Sequence, residues 1–142
     1  ISDDYKPKNT LPSNIILLDN VVGDEQYNYI INCNIMIIPI KDGRICSGDT
    51  VLLTAMSFEK LVIVTSPSTL EEMYINNNEN GIIIEKKKNI FSEELIKILE
   101  NKEKITLIGR RARESFLKNF SRKSMGKKIG EKIKNENCND RS

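Results

Sequence analysis

Ser47, Gly48, Asp49 and Thr50 stand together at the head of the strongly apolar run Val51 to Phe58. Two hydroxyls, a carboxylate and a glycine entering a helix form a set suited to anion binding. The first amides of a helix have no intrahelical partner and carry partial positive charge, so a diphosphate fits there. Gly43 and Gly48 permit tight backbone geometry in the loop that leads in. Capping of the helix by Ser47 or Asp49 is the competing reading, because short polar side chains serve that purpose widely. A carboxylate at position 49 competes with a phosphate for the same amides, so both uses coexist only if Asp49 points away. The chain has no histidine. Ser-His-Asp and Cys-His nucleophile systems are therefore excluded, and the commonest zinc ligand is missing. Chemistry here falls to carboxylates, hydroxyls, backbone amides, Lys and Arg.

The elements that position this turn read as α/β. Ile15 to Leu18 is a short apolar run of the kind that forms a buried strand. Gly23-Asp24-Glu25 opens a helix to about Cys33, with Tyr27, Ile30 and Ile31 on one face. Ile35 to Ile38 is a second strand, stopped by Pro39. The helix from about Asp49 to Phe58 follows, then a strand at Leu61 to Val64. A helix from about Thr69 to Ile75, the Asn76 to Asn80 turn and a strand at Gly81 to Ile84 come next. This alternation predicts a Rossmann-like, doubly wound parallel sheet with right-handed crossovers and helices on both faces. A helical C-terminal extension follows: a helix opened by Ser92-Glu93-Glu94, a second from about Lys104 to Phe120, and a basic one from Ser121 to about Lys134. The expected division is an irregular lead-in over 1–13, one domain over 14–134, and a flexible tail over 135–142.

Ligands of open parallel sheets bind beyond the carboxyl ends of the strands. Asp19 to Val22, Pro39 to Thr50 and Thr65 to Thr69 would lie there. Glu71 and Glu72 read as surface acids favoured by a helix N-terminus. Arg110, Arg111 and Arg113 read as a solvated face.

Composition is compatible with one folded domain: 142 residues, 39% hydrophobic and 30% charged. A net charge of +2 gives no argument for nucleic acid. Three cysteines, Cys33, Cys46 and Cys138, lack metal-ligand spacing and read as free thiols in a reducing, cytoplasmic compartment. No apolar run approaches the ~20 residues of a membrane span, and no signal peptide is visible. A chain that starts at Ile1 with a polar segment broken by Pro7 and Pro12 reads as part of a longer protein.

Gly48 to Thr65, GDTVLLTAMSFEKLVIVT, resembles the signature helix and strand of GT-B glycosyltransferases of the group 1 type (family 4). Their pattern is a Glu-Gly-Phe-Gly turn, an apolar stretch ending Leu-Glu-Ala-Met, and Gly-Lys-Pro-Val-Ile. Asn14 to Leu18 is similar to the family's Asn-Val-x-Phe-Leu strand. Tyr29 to Pro39 resembles its Tyr-x-x-Ala-Asp-x-x-x-x-Pro segment. Ile75 to Ile84 resembles its Asn-Gly turn and strand, and Ile108 to Arg113 with Phe120-Ser121 its late Leu-Gly-x-x-Ala-Arg and Phe-Ser segment. The resemblance covers about Asn14 to Lys134.

The resemblance implies the nucleotide-sugar-binding, C-terminal domain of an enzyme that moves a sugar from a nucleotide diphosphate, such as a UDP- or GDP-sugar, to a glycan or lipid-linked acceptor. It implies no cofactor and no metal. Asn20 and Val21 would lie near the base, Ser47, Gly48, Asp49 and Thr50 near the diphosphate or sugar, and Thr54 near the ribose. The family's Glu-x7-Glu pair falls here on Cys46 and Thr54, neither of them acidic. The family's first βα unit and its acceptor-binding N-terminal domain would precede Ile1, so transfer by these 142 residues alone is not expected. The basic helix with Met125, Ile129 and Ile133 would pack across that N-terminal domain; a membrane-surface role, giving peripheral membrane association at the inner face, is the alternative. A degenerate, non-catalytic transferase-like partner or a receiver-like signalling module are the competing functions. The receiver reading needs an acidic cluster after the first strand, where Asp19 stands alone, and a Lys directly after a late strand, which Leu61 to Val64 lacks.

Overall fold

The computed structural model describes residues 11–41 and 47–139. Six helices and three strands are found among the described residues. They are α1 (Asp24–Asn32), β1 (Ile35–Ile38), α2 (Asp49–Ser57), β2 (Leu61–Ser66), α3 (Thr69–Tyr74), β3 (Ile82–Glu85), α4 (Lys88–Leu99), α5 (Lys102–Asn119) and α6 (Arg122–Asn139).

The sheet is parallel throughout, in the order β1-β2-β3. Ile35 pairs with Leu61 and Ile63 with Ile82. Leu61 to Thr65 are all buried because β2 has a strand on either side and helices above and below. Two consecutive crossovers in the same direction place α2 and α3 on one face. There Leu52, Ala55, Met56 and Leu70 pack with Ile38, Val62 and Val64. The opposite face carries Leu61, Ile63, Ile82 and Ile84, covered by Ile98 of α4 and Ile108 of α5. Helices therefore cover both faces, the second through the C-terminal helices rather than through crossovers.

Helix α5 is the beam of the structure. Its side chains reach both layers: Ile105 and Ile108 join one core, Ala112 and Phe116 the other. It crosses under the turn from α2 to β2 at Gly109, where a Cβ would sit 2.2 Å from the Glu59 carbonyl oxygen. That turn closes α2 with a Schellman pair, Lys60 N–H donating to the Ala55 carbonyl at 3.0 Å and Glu59 N–H to Met56 at 3.1 Å. Glu59 takes the left-handed conformation that the motif demands, with φ 59°. Arg113 of α5 fastens the same turn, donating to the Ser57 carbonyl at 3.0 Å and facing the Glu59 carboxylate at 3.6 Å. Arg113 is thus a clamp on the α2 C-terminus, not merely part of a solvated face. Behind α3, buried Asn80 accepts from Asn76 N–H and donates to the Tyr74 carbonyl and the Ser115 hydroxyl, tying the 76–80 turn to α5.

Four expectations need correction. Ile15 to Leu18 is not a strand: no described strand pairs with it, and its side chains are exposed, Ile16 at 81%. An apolar run becomes a strand only through a ladder partner. The α1 face is narrower than expected, with Ile30 buried but Tyr27 and Ile31 exposed. Helix α4 starts at Lys88, four residues before Ser92, without a side-chain cap. Helix α6 continues through Asn139, five residues beyond Lys134 and into the expected tail, leaving 140–142 outside the described residues. Its Met125, Ile129 and Ile133 are exposed. No helix among the described residues is long and apolar enough to cross a membrane.

Candidate functional site

The carboxyl ends of the three strands converge on one edge of the molecule. Helix α2, antiparallel to the strands, brings its N-terminus to that edge. The N-cap residue is Gly48, with φ 85°, and no side-chain hydrogen bond among the described residues caps the helix. Capping by Ser47 or Asp49 is therefore not what holds this turn, and Asp49 occupies the first helical turn instead. Leu52 N–H closes on the Gly48 carbonyl at 2.9 Å, so the helix begins cleanly.

Gly48 has two structural reasons to be glycine. Its positive φ disfavours any side chain. A Cβ would also sit 2.9 Å from Ile38 Cγ2 and 3.5 Å from Leu70 Cδ1. The glycine faces the core between β1 and α3, and that packing accounts for it before any ligand does. Ser47 and Thr50 are exposed beside it. Gly43 and Cys46 lie outside the described residues.

Thr54, one turn further along, donates its hydroxyl to the Thr50 carbonyl at 2.7 Å. That bond holds the hydroxyl along its own helix, leaving its lone pairs to accept. Asn20, in the left-handed region with φ 56°, and Val21 lie in the segment entering α1, which packs on α2. No hydrogen bond among the described residues joins Asn20 or Val21 to the α2 N-terminus. The structure thus places Ser47, Gly48, Asp49 and Thr50 at the α2 N-terminus, Thr54 past the middle of the same helix, and Asn20 and Val21 in the segment before α1, which packs on α2.

On the other side of the strand ends lies a cleft of about 360 Å³ lined by Pro39, Ile40, Lys41, Thr65, Lys86, Phe91 and Ser92. Buried Thr65 shapes it: its hydroxyl accepts from Ile40 N–H at 2.9 Å and faces the Ile40 carbonyl at 3.4 Å. That grip fixes the chain as it leaves β1. Lys86 leaves β3 and donates to the Pro67 carbonyl at 2.9 Å, across the cis Ser66–Pro67 bond. Lys41 and Lys86 bring two positive charges to the rim. Sequence reading passed over both lysines, although each stands within three residues of a strand's carboxyl end. Among the described residues no group of His, Cys, Asp and Glu could hold a metal ion. Cys33 is a free thiol away from this edge, and burial pushes it up from the ordinary thiol range, with Lys60 opposing.

A parallel α/β sheet with helices on both faces and basic groups at its carboxyl edge is a Rossmann-like architecture. The family model described as "Glycosyl transferases group 1" matches residues 8–115, and the chain belongs to that family. Among solved structures it is similar to the sucrose-phosphate synthase of Thermosynechococcus elongatus, with a TM-score of 0.62, 18% identity, and coverage of 78% of this chain and 27% of that one. It is also similar to a glycosyltransferase from Rickettsia africae, with a TM-score of 0.61, 23% identity, and coverage of 80% and 30%. At such identities the likeness establishes the fold, and the chain spans less than a third of either relative. A search of the curated proteins returned no match.

Proposed function

We propose that the chain is the nucleotide-sugar-binding, C-terminal part of a family 4 GT-B glycosyltransferase that moves a sugar from a nucleotide diphosphate to a glycan or lipid-linked acceptor. The observation that carries this reading is the α2 N-terminus, free of a side-chain cap among the described residues and opening on the carboxyl edge of a sheet in a group 1 transferase chain. A diphosphate seated there gains hydrogen bonds from helix amides and the favourable end of the helix dipole. Ser47 and Thr50 supply hydroxyls to the phosphates. Lys41 and Lys86 offset the charge that builds on the leaving diphosphate during transfer. Thr54 stands where a ribose hydroxyl would pass and acts as an acceptor only. Asn20 and Val21 line the base side of the site.

Calorimetric titration of the chain with UDP, GDP, UDP-glucose and GDP-mannose tests the reading. Saturable binding that weakens about tenfold, roughly 1.4 kcal/mol, in Ser47→Ala/Thr50→Ala supports it. Absence of binding to every probe refutes it. Gly48 is a poor choice for this test, since its replacement collides with Ile38.

A second reading is a transferase-like partner subunit without activity. It is favoured by Cys46 and Thr54 at the positions where the family resemblance places carboxylates, and by the Thr54 hydroxyl's bond to Thr50. Donor binding without turnover in the longest polypeptide that carries this sequence would select it.

A further inference from the structure

A cleft of about 560 Å³ opens between the 76–80 turn and α5. The turn leads into β3, so the cleft lies at the amino ends of the strands, on the edge opposite the α2 N-terminus. Its framework is fixed. Buried Asn80 spans from turn to helix, donating to the Tyr74 carbonyl and to the Ser115 hydroxyl at 3.0 Å each. Asn78 N–H donates to the Gly81 carbonyl at 2.8 Å, and Asn77 Oδ1 accepts from Ile83 N–H at 3.0 Å, which pins the turn to β3. A cleft held in shape before a ligand arrives loses little entropy on binding.

Every side chain that lines the cleft is polar or charged. Glu79 comes from the turn. Arg111, Glu114 and Lys118 come from α5, where spacings of three and four put them on one stripe about 10 Å long. Glu114 and Lys118 stand in the order that favours an i, i+4 ion pair. Yet no ion pair among the described residues uses any of these four charges. The Ser115 hydroxyl accepts from Asn80 and keeps its own proton to give. Donors and acceptors therefore alternate along the stripe with their capacity unspent. A phosphate would meet two carboxylates there, and a nucleobase or an apolar peptide side chain would find neither a ring nor an aliphatic wall. Sugar hydroxyls both donate and accept, so they satisfy the carboxylates and the cations together.

We propose that this cleft binds a neutral oligosaccharide through Glu79, Arg111, Glu114, Ser115 and Lys118. The assignment goes beyond the donor-site reading and does not rest on it. Titration of the isotope-labelled chain with maltotetraose, cellotetraose and chitotetraose, followed by amide NMR, tests it. Saturable shifts at Glu79, Arg111, Glu114 and Lys118 are expected with at least one of the three, at a Kd of about 1 mM or below. Arg111→Ala/Glu114→Ala is expected to weaken that binding at least tenfold without lowering the melting temperature, because both side chains are exposed. Glu79→Gln, on the turn, is expected to weaken it as well and decides the matter if the α5 variant unfolds. Glu103→Ala, which removes an exposed carboxylate near the start of α5, is expected to leave it unchanged. Absence of shifts at the cleft with all three sugars overturns the proposal. So does unchanged affinity in the folded variants, or inorganic phosphate moving the same amides when the sugars do not.

Discussion

Gly109→Ala measures how rigidly α5 is seated under the sheet. Alanine raises helix propensity by about 1 kcal/mol relative to glycine, so an unhindered site gains stability. At this site the new methyl group would sit 2.2 Å from the Glu59 carbonyl oxygen, 3.1 Å from its carbon and 3.3 Å from Leu61 N. All three obstacles are backbone. The helix or the turn must retreat by more than an ångström to reach ordinary contact. The turn resists, because the Schellman pair and Arg113 hold it and β2 continues from it into the core. Overpacking costs roughly 1–3 kcal/mol, and a backbone obstacle puts this site at the upper end. Set against the propensity gain, a net loss of about 2 kcal/mol is expected. For a chain of this size that lowers the melting temperature by roughly 6–10 °C. Differential scanning calorimetry or urea unfolding reads it directly. Gly130→Ala is the control: nothing lies within 4 Å of its Cβ position, so helical content rises and the melting temperature does not fall. A Gly109→Ala protein as stable as the parent would refute the steric argument. So would equal losses in both variants.

Two further predictions concern single groups. Thr65→Val preserves shape but leaves Ile40 N–H without its 2.9 Å acceptor, and is expected to cost about 1–3 kcal/mol in urea unfolding; no change would show that Ile40 has another partner. Cys33 is an acid whose pKa burial raises above the ordinary thiol value of 9.0, so its folded form holds the proton longer than the unfolded chain does. Its favourable contribution is complete below pH 9.0 and is lost as pH rises through the folded pKa. Unfolding at pH 8 and pH 10 should show a smaller decline for Cys33→Ala than for the parent; equal declines would refute the assignment.

Most of the fold was legible where local pattern and tertiary need agree. The continuous run Leu61 to Val64 reads as a buried strand and is the centre of the sheet. Asp49 opens the helix that the apolar stretch after it predicts. Ile15 to Leu18 is as apolar as β1 but misleads, because the decisive fact is a neighbour to pair with and composition carries no record of neighbours. Ser92-Glu93-Glu94 read as the opening of a helix, yet α4 begins at Lys88, since its apolar face is set by Phe91, Leu95 and Ile98 and the helix extends back from them. At the candidate site, glycine and hydroxyls pointed to a turn that does open a helix, but for an incomplete reason. The close approach of Gly48 to Ile38 involves a contact ten residues away and has no local signature. Glu71 was read as a surface acid because helix-dipole reasoning sees only its own helix. Its bond to Ser66 and its buried second oxygen depend on how α3 folds back over β2.

The beam-like passage of α5 has a consequence for how the molecule comes apart. A three-layer sandwich can in principle peel, one helical layer leaving while the sheet keeps the other. Here one rod is rooted in both layers, through Ile108 on one side and Ala112 on the other, and is pinned between them at Gly109. Removing either layer means withdrawing the rod, and withdrawing the rod opens the other. The strands and α5 should therefore behave as one unit under mechanical load, giving a single rupture rather than a staircase, with α6 free to peel away first.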